Sequence, residues 1–216
     1  MSRASAAVRS NAEQPTKKQR EVLNVASDYF LAHGYQGTSI NAMARESGIS
    51  KESIYRYFSS KKALFEAVVA KELKEYRERL NFVDMEHDSM PLAEVLQQIG
   101  ESIMQAVTSD RVLGLRRLVF QEAALSPEIG QHYYATGPRV AYGYLENLFS
   151  ERENAKQMDP KILAFNFVAV ILHRFMLQRE CRVIEAPTNA EISQHVAEVT
   201  DDFLKLHFAQ QETDRQ

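Results

Sequence analysis

The chain has 216 residues, of which 44% are hydrophobic and 25% are charged, with a formal net charge of −3 and a single cysteine, Cys181. This composition is that of an ordinary water-soluble protein, and one cysteine excludes an internal disulfide, which fits a reducing cytoplasm. The sequence contains no CxxC, HExxH, GxGxxG or P-loop pattern. It therefore predicts a cytoplasmic protein with no cofactor and no metal site.

The charge is unevenly distributed along the chain. The first 62 residues contain 10 Lys and Arg against 5 Asp and Glu, whereas the remainder contains 16 against 24. A basic segment of this size is typical of a module that faces the phosphates of a nucleic acid. We therefore expect the N-terminal part to contact DNA and the acidic remainder to be held away from it.

The first predicted helix follows a polar segment. Residues 1–14 are poor in apolar side chains and are predicted to form a disordered arm. Thr16 and Gln19 form a capping box at the start of helix 1, and an apolar stripe at helical spacing follows. This stripe consists of Val22, Leu23, Ala26, Tyr29 and Phe30. Its expected role is to support the neighbouring helices, without chemistry of its own.

Two short helices joined by a tight turn come next. Ser39 is the predicted N-cap of helix 2, and Gly48 ends that helix because glycine adopts the left-handed conformation without steric cost. Ser50 is expected to cap helix 3. The outward-facing residues of helix 3 are predicted to be Lys51, Ser53, Tyr55, Arg56 and Tyr57. These side chains offer positive charge and hydroxyl groups to phosphates and base edges, so helix 3 suits DNA.

The sequence pattern of this segment, G-T-S-I-x-x-M-A-x-x-x-G-I-S-K-x-S-I-Y-x-Y-F-x-S-K-x-x-L-F, resembles the DNA-binding domain of the TetR/AcrR family. The resemblance extends over about residues 16–69 and implies an all-helical, dimeric, ligand-controlled transcription factor. The DNA contacts that it implies are Ser39, Lys51, Ser53, Tyr55, Tyr57 and Lys61, with Arg56 as a further contact. Glu52 stands where the family often has a small residue. Its carboxylate repels phosphate but can accept a hydrogen bond from cytosine N4.

The predicted fold is all-α, with about nine helices in an N-terminal three-helix DNA-binding domain and a larger C-terminal domain. Helix 4, from about Ser60 to Asn81, has an apolar first half and a charged second half, which is typical of a bridging helix. The predicted divisions are an arm at 1–14, a helix-turn-helix domain at 15–62, a linker helix to about 83 and a ligand-binding and dimerisation domain at 84–216.

The larger domain is predicted to begin with helices 5 and 6, and Gly137-Pro138 is expected to kink or split helix 7. Helix 8 is apolar on all sides from Ile162 to Leu172 except at Asn166, which indicates burial on every face. This run is shorter than the roughly 18 residues that cross a bilayer, so no membrane contact is expected. The family pattern implies a homodimer through the last two long helices, at about 159–180 and 189–208.

The resemblance also implies a small-molecule pocket among helices 5 to 8. The predicted lining is Met104, Arg117, Phe120, Tyr133, Tyr134, Tyr142, Phe165, His173 and Met176. For any one of these residues, a plain core position remains an alternative. Arg116 and Arg117 could serve an acidic ligand or form a surface salt bridge with Glu122 or Glu180. Whether His173 and Arg174 face a pocket or solvent stays open at this point.

These patterns predict a ligand-responsive repressor that binds a palindromic operator as a dimer and is released by a small, mainly apolar effector. Three alternatives remain. The first is a transcriptional activator of the same fold, since the sign of regulation depends on where the operator lies. The second is a helical enzyme that uses His132 or His173 with a neighbouring acid. The third is a protein-binding adaptor, which the basic N-terminal module disfavours.

Overall fold

The computed structural model of the protein describes residues 16–80, 90–152 and 158–208. Every regular element in these three ranges is a helix, which confirms the all-α prediction. The ten helices are α1 (Lys17–Gly37), α2 (Ile40–Ser47), α3 (Lys51–Tyr57), α4 (Lys61–Glu78), α5 (Leu92–Val107), α6 (Asp110–Ala123), α7 (Pro127–Thr136), α8 (Pro138–Glu151), α9 (Pro160–Glu180) and α10 (Asn189–Phe208). The predicted arm at 1–14 lies outside the described residues.

Side-chain caps fix the start of several helices. The Thr16 hydroxyl accepts a hydrogen bond from the Gln19 amide at 3.2 Å, as the capping box predicts. Ser39, Ser50 and Ser60 cap α2, α3 and α4 in the same way. Each cap satisfies a backbone N–H that the helix leaves without a partner. The boundaries of the helix-turn-helix are therefore encoded locally in the sequence.

Two glycines end helical segments in the N-terminal part. Gly48 follows α2 with a φ of 72°, and the backbone of α1 leaves the helical conformation at Gly34, where φ is 73°. Residues with a Cβ rarely adopt this left-handed conformation, whereas glycine adopts it readily. These glycines set the directions in which α2 and α3 leave the preceding helix.

The predicted break at Gly137-Pro138 splits one expected helix into α7 and α8. Proline lacks an amide hydrogen and is favoured at the first position of a helix. Pro138 takes that position in α8. This division gives ten helices in the described residues where about nine were expected.

The helices enclose two main hydrophobic cores. The first contains the buried faces of α1 to α4 together with Leu115, Leu118 and Val119 of α6 and Ile129 of α7. The second joins α5, α8, α9 and α10. Helix α4 belongs to both, because its earlier apolar residues pack in the first core and Tyr76 packs in the second. A displacement of α4 would therefore be felt on the DNA-binding side and in the larger domain.

Helix α9 has two apolar faces. Phe167 and Ile171 on the inner face are fully buried, whereas Phe165 and Leu177 on the outer face are 59% and 56% exposed. The helix is long and apolar enough, by length and composition alone, to cross a bilayer, and 33% of its most apolar stretch is buried in the protein. Buried core helices of soluble proteins have the same composition. The unusual feature of α9 is its uncovered outer face.

Candidate DNA-binding surface and effector cavity

Helix α3 is held by its capping residue and by its buried face. The Ser50 hydroxyl accepts a hydrogen bond from the Ser53 amide at 3.1 Å and lies 2.9 Å from the Ser53 hydroxyl. Ile54 and Phe58 are 2% and 6% exposed and pack in the first core. These contacts fix the orientation of the remaining side chains of α3.

The outer side of α3 carries the positive charge of this surface. Lys51, Tyr55 and Arg56 are exposed, and the Lys51 ammonium lies 5.8 Å from the centre of the Tyr55 ring. Neither Lys51 nor Arg56 forms a salt bridge with any residue that the structure describes. Both cations are therefore available to phosphates or base edges.

Tyr57 and Ser53 are less exposed than the sequence predicted. Tyr57 follows Ile54 by three residues, so its ring shares the buried side of the helix and packs against the first core. Both residues are half-buried rather than fully outward-facing. Glu52, in contrast, is exposed in the first turn of α3. The helix dipole favours a carboxylate at that position, which accounts for Glu52 without a contact to DNA.

Ser39 and Lys61 flank α3. Ser39 is exposed, and its hydroxyl accepts a weak hydrogen bond from the Ala42 amide at 3.4 Å. The Lys61 ammonium lies 4.5 Å from the centre of the Tyr35 ring and 3.5 Å from the Gln36 carbonyl oxygen. Partial burial lowers the pKa of Lys61, which the charge of Glu122 opposes. Lys61 is thus held near the surface by α1 rather than extending freely.

A network of charged groups ties α6 to the DNA-binding helices. The Arg111 guanidinium donates two hydrogen bonds of 2.7 Å to the Glu72 carboxylate, one of 2.9 Å to Ser27 and one of 3.0 Å to Asp28. Burial raises the pKa of Glu72, but hydrogen bonds from Arg111, Ser27 and Lys71 outweigh this effect and lower it to about 2. Glu72 is therefore ionised and fully paired, although it is only 5% exposed.

A cavity of about 480 Å³ lies among α4 to α9. Its wall is predominantly apolar and rich in aromatic rings, as small-molecule sites usually are. The lining residues are Leu73, Tyr76, Ile103, Val107, Val112, Leu115, Arg116, Phe120, Gly130, Tyr133, Tyr134, Gly137, Pro138, Ala141, Tyr142, Val168, Ala169, Leu172, His173 and Met176. Two of them, Leu73 and Tyr76, belong to α4.

Six of the nine residues predicted for the pocket line this cavity. They are Phe120, Tyr133, Tyr134, Tyr142, His173 and Met176. Met104 does not line it, because its side chain is fully buried against Ile192 and Val196 of α10. Phe165 does not either, since its ring stacks on Tyr142 from outside at 6.0 Å and is 59% exposed.

Arg117 is the third predicted residue that does not line the cavity. Its Nε atom donates to Glu180 at 2.7 Å, away from the cavity wall. The neighbouring Arg116 faces the cavity instead, with its guanidinium 4.9 Å from the centre of the Phe120 ring and 3.7 Å from the Glu180 carboxylate. Adjacent helical residues point about 100° apart, so only one of the two can face the cavity. The spacing of four between Arg116 and Phe120 could have identified it.

Tyr76 is a cavity residue that the sequence analysis missed, because it lies in the heavily charged second half of α4. Its ring is 6% exposed, and burial raises the pKa of Tyr76, as do the nearby Tyr133 and Tyr142. Burial likewise raises the pKa values of Tyr133 and Tyr142. These three phenols are therefore neutral hydrogen-bond donors at physiological pH. The spacing Leu73, Tyr76 and Leu80 on one helical face was the available signal.

The cavity carries one arginine and one histidine, but it does not have the composition of a metal site. Within residues 16–80, 90–152 and 158–208, no three His, Cys, Asp or Glu side chains form a group that could hold a metal ion. His173 lies on the cavity wall, whereas the Arg174 guanidinium lies 5.9 Å from the Phe175 ring. The arrangement is suited to binding a small apolar molecule with a few oriented polar groups.

Comparisons with known proteins identify both parts of the chain. Residues 22–68 match the family model of bacterial regulatory proteins of the tetR family. Residues 94–207, more than half of the chain, match the model of the C-terminal domain of AefR-like transcriptional repressors. The first match covers the helix-turn-helix, and the second covers most of the cavity wall.

Individual relatives agree with these families. The uncharacterised HTH-type transcriptional regulator YfiR of Bacillus subtilis is 29% identical over 42% of this chain and 45% of its own length. The chain thus spans about half the length of this curated relative. A TetR-family regulator structure from Mesorhizobium loti superposes with a TM-score of 0.76 at 23% identity, covering 88% of this chain and 96% of the other.

A second solved structure, the flavonoid-responsive regulator FrrA, superposes with a TM-score of 0.71 at 24% identity, again covering 88% of this chain and 96% of the other. At these identities the structural similarities establish the fold. The two family matches establish the functional class of the chain, because both families consist of transcriptional regulators. They exclude the alternative of a helical enzyme that uses His132 or His173. The chain therefore belongs to the tetR family of bacterial transcriptional regulators, with a C-terminal domain of the AefR-like type.

Proposed function

We propose that this regulator acts in the cytoplasm as a homodimeric repressor that binds a palindromic operator and is released by a small, mainly apolar effector. One observation carries the proposal. Helix α4 begins at Lys61 beside the DNA-binding surface and lines the effector cavity with Leu73 and Tyr76. A single rigid element therefore connects the two sites, and a ligand that displaces its far end reorients the near end.

The DNA-binding surface is proposed to comprise Ser39, Lys51, Ser53, Tyr55, Arg56, Tyr57 and Lys61. Among these, Lys51, Tyr55 and Arg56 have the exposure that base or phosphate contacts require. Ser39 and Lys61 flank them and suit the phosphate backbone, which positions a recognition helix without reading sequence. Tyr57 presents only its partly exposed edge.

The proposed dimer uses the uncovered outer face of α9 together with α10. Ile162, Phe165, Val170 and Leu177 are 50–59% exposed on this helix, and several large exposed apolar side chains on one element are typical of an interaction surface. Pairing α9 and α10 with their counterparts would form a four-helix bundle. Such a two-fold arrangement places two copies of α3 against successive major grooves of a palindromic site.

The effector is proposed to bind in the cavity with its bulk against the aromatic wall. The relative FrrA, named as flavonoid-responsive, supports an aromatic effector for a cavity of this fold. The description of the C-terminal family as a repressor domain favours repression over activation. The effector acts by population shift, so it must bind the released conformation more tightly than the DNA-bound one.

The test is fluorescence anisotropy of the purified protein on the duplex upstream of its own gene, at two salt concentrations, with a scrambled duplex as the control. We expect selective binding with a steep salt dependence and a complex that sediments as a protein dimer on one duplex. Equal, weak binding to both duplexes would contradict selective operator binding and with it the proposed function. In vitro transcription from the same fragment then distinguishes repression from activation by its sign.

A further inference from the structure

The effector cavity contains a hydroxyl group, that of Tyr76, which has no hydrogen-bond partner among the described residues. Tyr76 is 6% exposed and lines the cavity, and within the described residues no group accepts a hydrogen bond from its hydroxyl or donates one to it. Buried polar groups are almost always paired in folded proteins, and leaving one unpaired costs free energy. The Tyr76 hydroxyl is therefore free to bond a partner inside the cavity, and a ligand that displaces water from it must replace the hydrogen bond of that water.

We infer that the effector is an aromatic molecule whose uncharged oxygen accepts a hydrogen bond from the Tyr76 hydroxyl, and that this bond is the point at which α4 senses the ligand. The inference rests on the proposed function, since it takes the cavity to be the effector site. It adds the chemical class of the ligand and the residue that reports its presence.

The charge of the cavity favours an uncharged oxygen. Tyr133 and Tyr142 lie close enough to Tyr76 to raise the pKa of its phenol. Burial also raises the pKa of all three phenols, so all three are protonated. They can donate hydrogen bonds but cannot neutralise a carboxylate. None of these three phenols supplies a counter-charge, and burying an ionised ligand group without one is strongly unfavourable.

Arg116 is the cation that could have favoured an acidic ligand. Its guanidinium is already engaged by the Glu180 carboxylate at 3.7 Å and by the face of Phe120 at 4.9 Å. Arg117 also binds Glu180, at 2.7 Å. The charges of Arg116, Arg117 and Glu180 are therefore held together at the α6–α9 side of the cavity. Tyr133 lies near this group, since the centre of its ring is 6.2 Å from that of Phe120, on which the Arg116 guanidinium lies.

The wall favours an aromatic body. Five rings line the cavity, those of Tyr76, Phe120, Tyr133, Tyr134 and Tyr142, and the Phe120 and Tyr133 rings meet edge to face at 6.2 Å. Aromatic ligands gain from offset-stacked and edge-to-face contacts beyond the burial of apolar area. The volume of about 480 Å³ is within the usual range for one small molecule.

The position of Tyr76 on α4 gives its hydrogen bond a regulatory consequence. Helix α4 packs closely against the break between α7 and α8. A β-carbon built on Gly137 would lie only 2.9 Å from Cδ2 of Leu73, and the Arg77 guanidinium donates a hydrogen bond to the Thr136 carbonyl at 3.1 Å. A ligand held between Tyr76 and the tyrosines of α7 and α8 occupies this crossing. The other two phenols near Tyr76 lie on α7 and α8, so only the Tyr76 bond acts directly on α4.

The test compares wild-type protein with Tyr76→Phe, which removes the hydroxyl and keeps the ring, and with Tyr144→Phe on α8, a control whose ring does not line the cavity. The neutral aromatic ketones flavone and benzophenone are the probes, with decanoate as the anionic comparison and trans-stilbene as the oxygen-free one. Calorimetric titration gives affinity, and anisotropy on the operator gives release.

We expect the ketones to bind wild-type protein more tightly than decanoate or stilbene, and Tyr76→Phe to weaken that binding about tenfold, the effect of one hydrogen bond in a buried site. Relative to its own operator affinity without ligand, Tyr76→Phe should need about tenfold more ketone for release, whereas Tyr144→Phe should behave as wild type. Equal ketone affinity in Tyr76→Phe, tighter binding of decanoate, or no binding of either ketone would overturn the inference. Loss of operator binding by the wild-type protein would instead refute the proposed function.

Discussion

The DNA-binding surface and the effector cavity differ in the kind of polar group that each leaves without a protein partner. On α3, the exposed side chains of Lys51 and Arg56 have no acidic partner among the described residues. In the cavity, the cation Arg116 is paired with Glu180, and a neutral hydroxyl on Tyr76 is unpaired. A surface of free cations suits phosphates, whereas a buried phenol suits a neutral oxygen. The missing partner therefore indicates the chemistry of the ligand at each site.

The largest expected effect comes from removing the free cations of α3. Lys51→Ala combined with Arg56→Ala should lower operator affinity about 100-fold, because two contacts of about 1–3 kcal/mol each are lost. Salt-dependent anisotropy should also show a shallower slope, by about 0.9 for each phosphate contact removed. Affinity for the aromatic ketones should not change, since both residues lie away from the cavity wall.

A matched control separates contact from net charge. Lys74→Ala combined with Lys205→Ala removes the same charge from exposed positions on α4 and α10. Operator affinity of this variant should stay within about twofold of wild type, because long-range charge effects are screened over about 10 Å at 0.1 M salt. An equal loss in both double variants would mean that α3 contributes only general charge.

The second largest effect is expected from the buried ion pair between Arg111 and Glu72. Arg111→Met should destabilise the protein by about 3 kcal/mol, because it leaves the buried Glu72 carboxylate without its main partner. Urea unfolding measures this loss. As a control, Lys74→Ala on α4, the helix that carries Glu72, breaks an exposed pair with Glu78. This variant should leave the urea midpoint of unfolding nearly unchanged. A similar midpoint for Arg111→Met and wild type would show that Lys71 and Ser27 alone satisfy Glu72.

The same network predicts a loss of stability in acid. The pKa of Glu72 falls from its ordinary value of 4.5 to about 2 in the folded protein, so the unfolded chain binds the proton more readily. The contribution of Glu72 is fully present above pH 4.5 and is lost as the pH falls towards 2. Unfolding curves between these limits should therefore show a steeper decline for wild type than for Arg111→Met. Parallel declines would assign the acid sensitivity to other carboxylates.

The two sites were not equally predictable from the sequence. The DNA-binding surface follows from local signals: Ser50 and Gly48 set the ends of the helices, and the spacing of Ile54 and Phe58 sets the buried face. The main miss on this surface was Tyr57, whose spacing of three from Ile54 places it partly inside. Local chemistry thus determines most of this surface.

The cavity depends on packing between distant parts of the chain. Arg116 and Arg117 are indistinguishable in sequence, and only the position of α6 against α9 determines which one faces the cavity. Tyr76 was overlooked because charged residues surround it along α4, although its ring is buried in three dimensions. The Glu72–Arg111 pair joins residues 39 positions apart, so no local pattern could indicate it.

The smallest expected effects come from single substitutions on the DNA-binding surface. Lys61→Ala and Tyr55→Ala should each weaken binding only a few-fold, since single phosphate contacts are worth less than base contacts and help equally on any sequence. Both variants should therefore lose similar affinity on the operator and on the scrambled duplex.

The salt dependence of binding distinguishes the two variants, because Lys61 carries a charge that releases a counterion and Tyr55 does not. Lys61 is also held by Tyr35 and Gln36, so little side-chain entropy is lost when it meets a phosphate. A salt slope that falls for Lys61→Ala and stays constant for Tyr55→Ala would show that Lys61 contacts phosphate through its charge and that Tyr55 contacts DNA through a neutral hydroxyl. A constant slope for both would place Lys61 outside the contact with DNA.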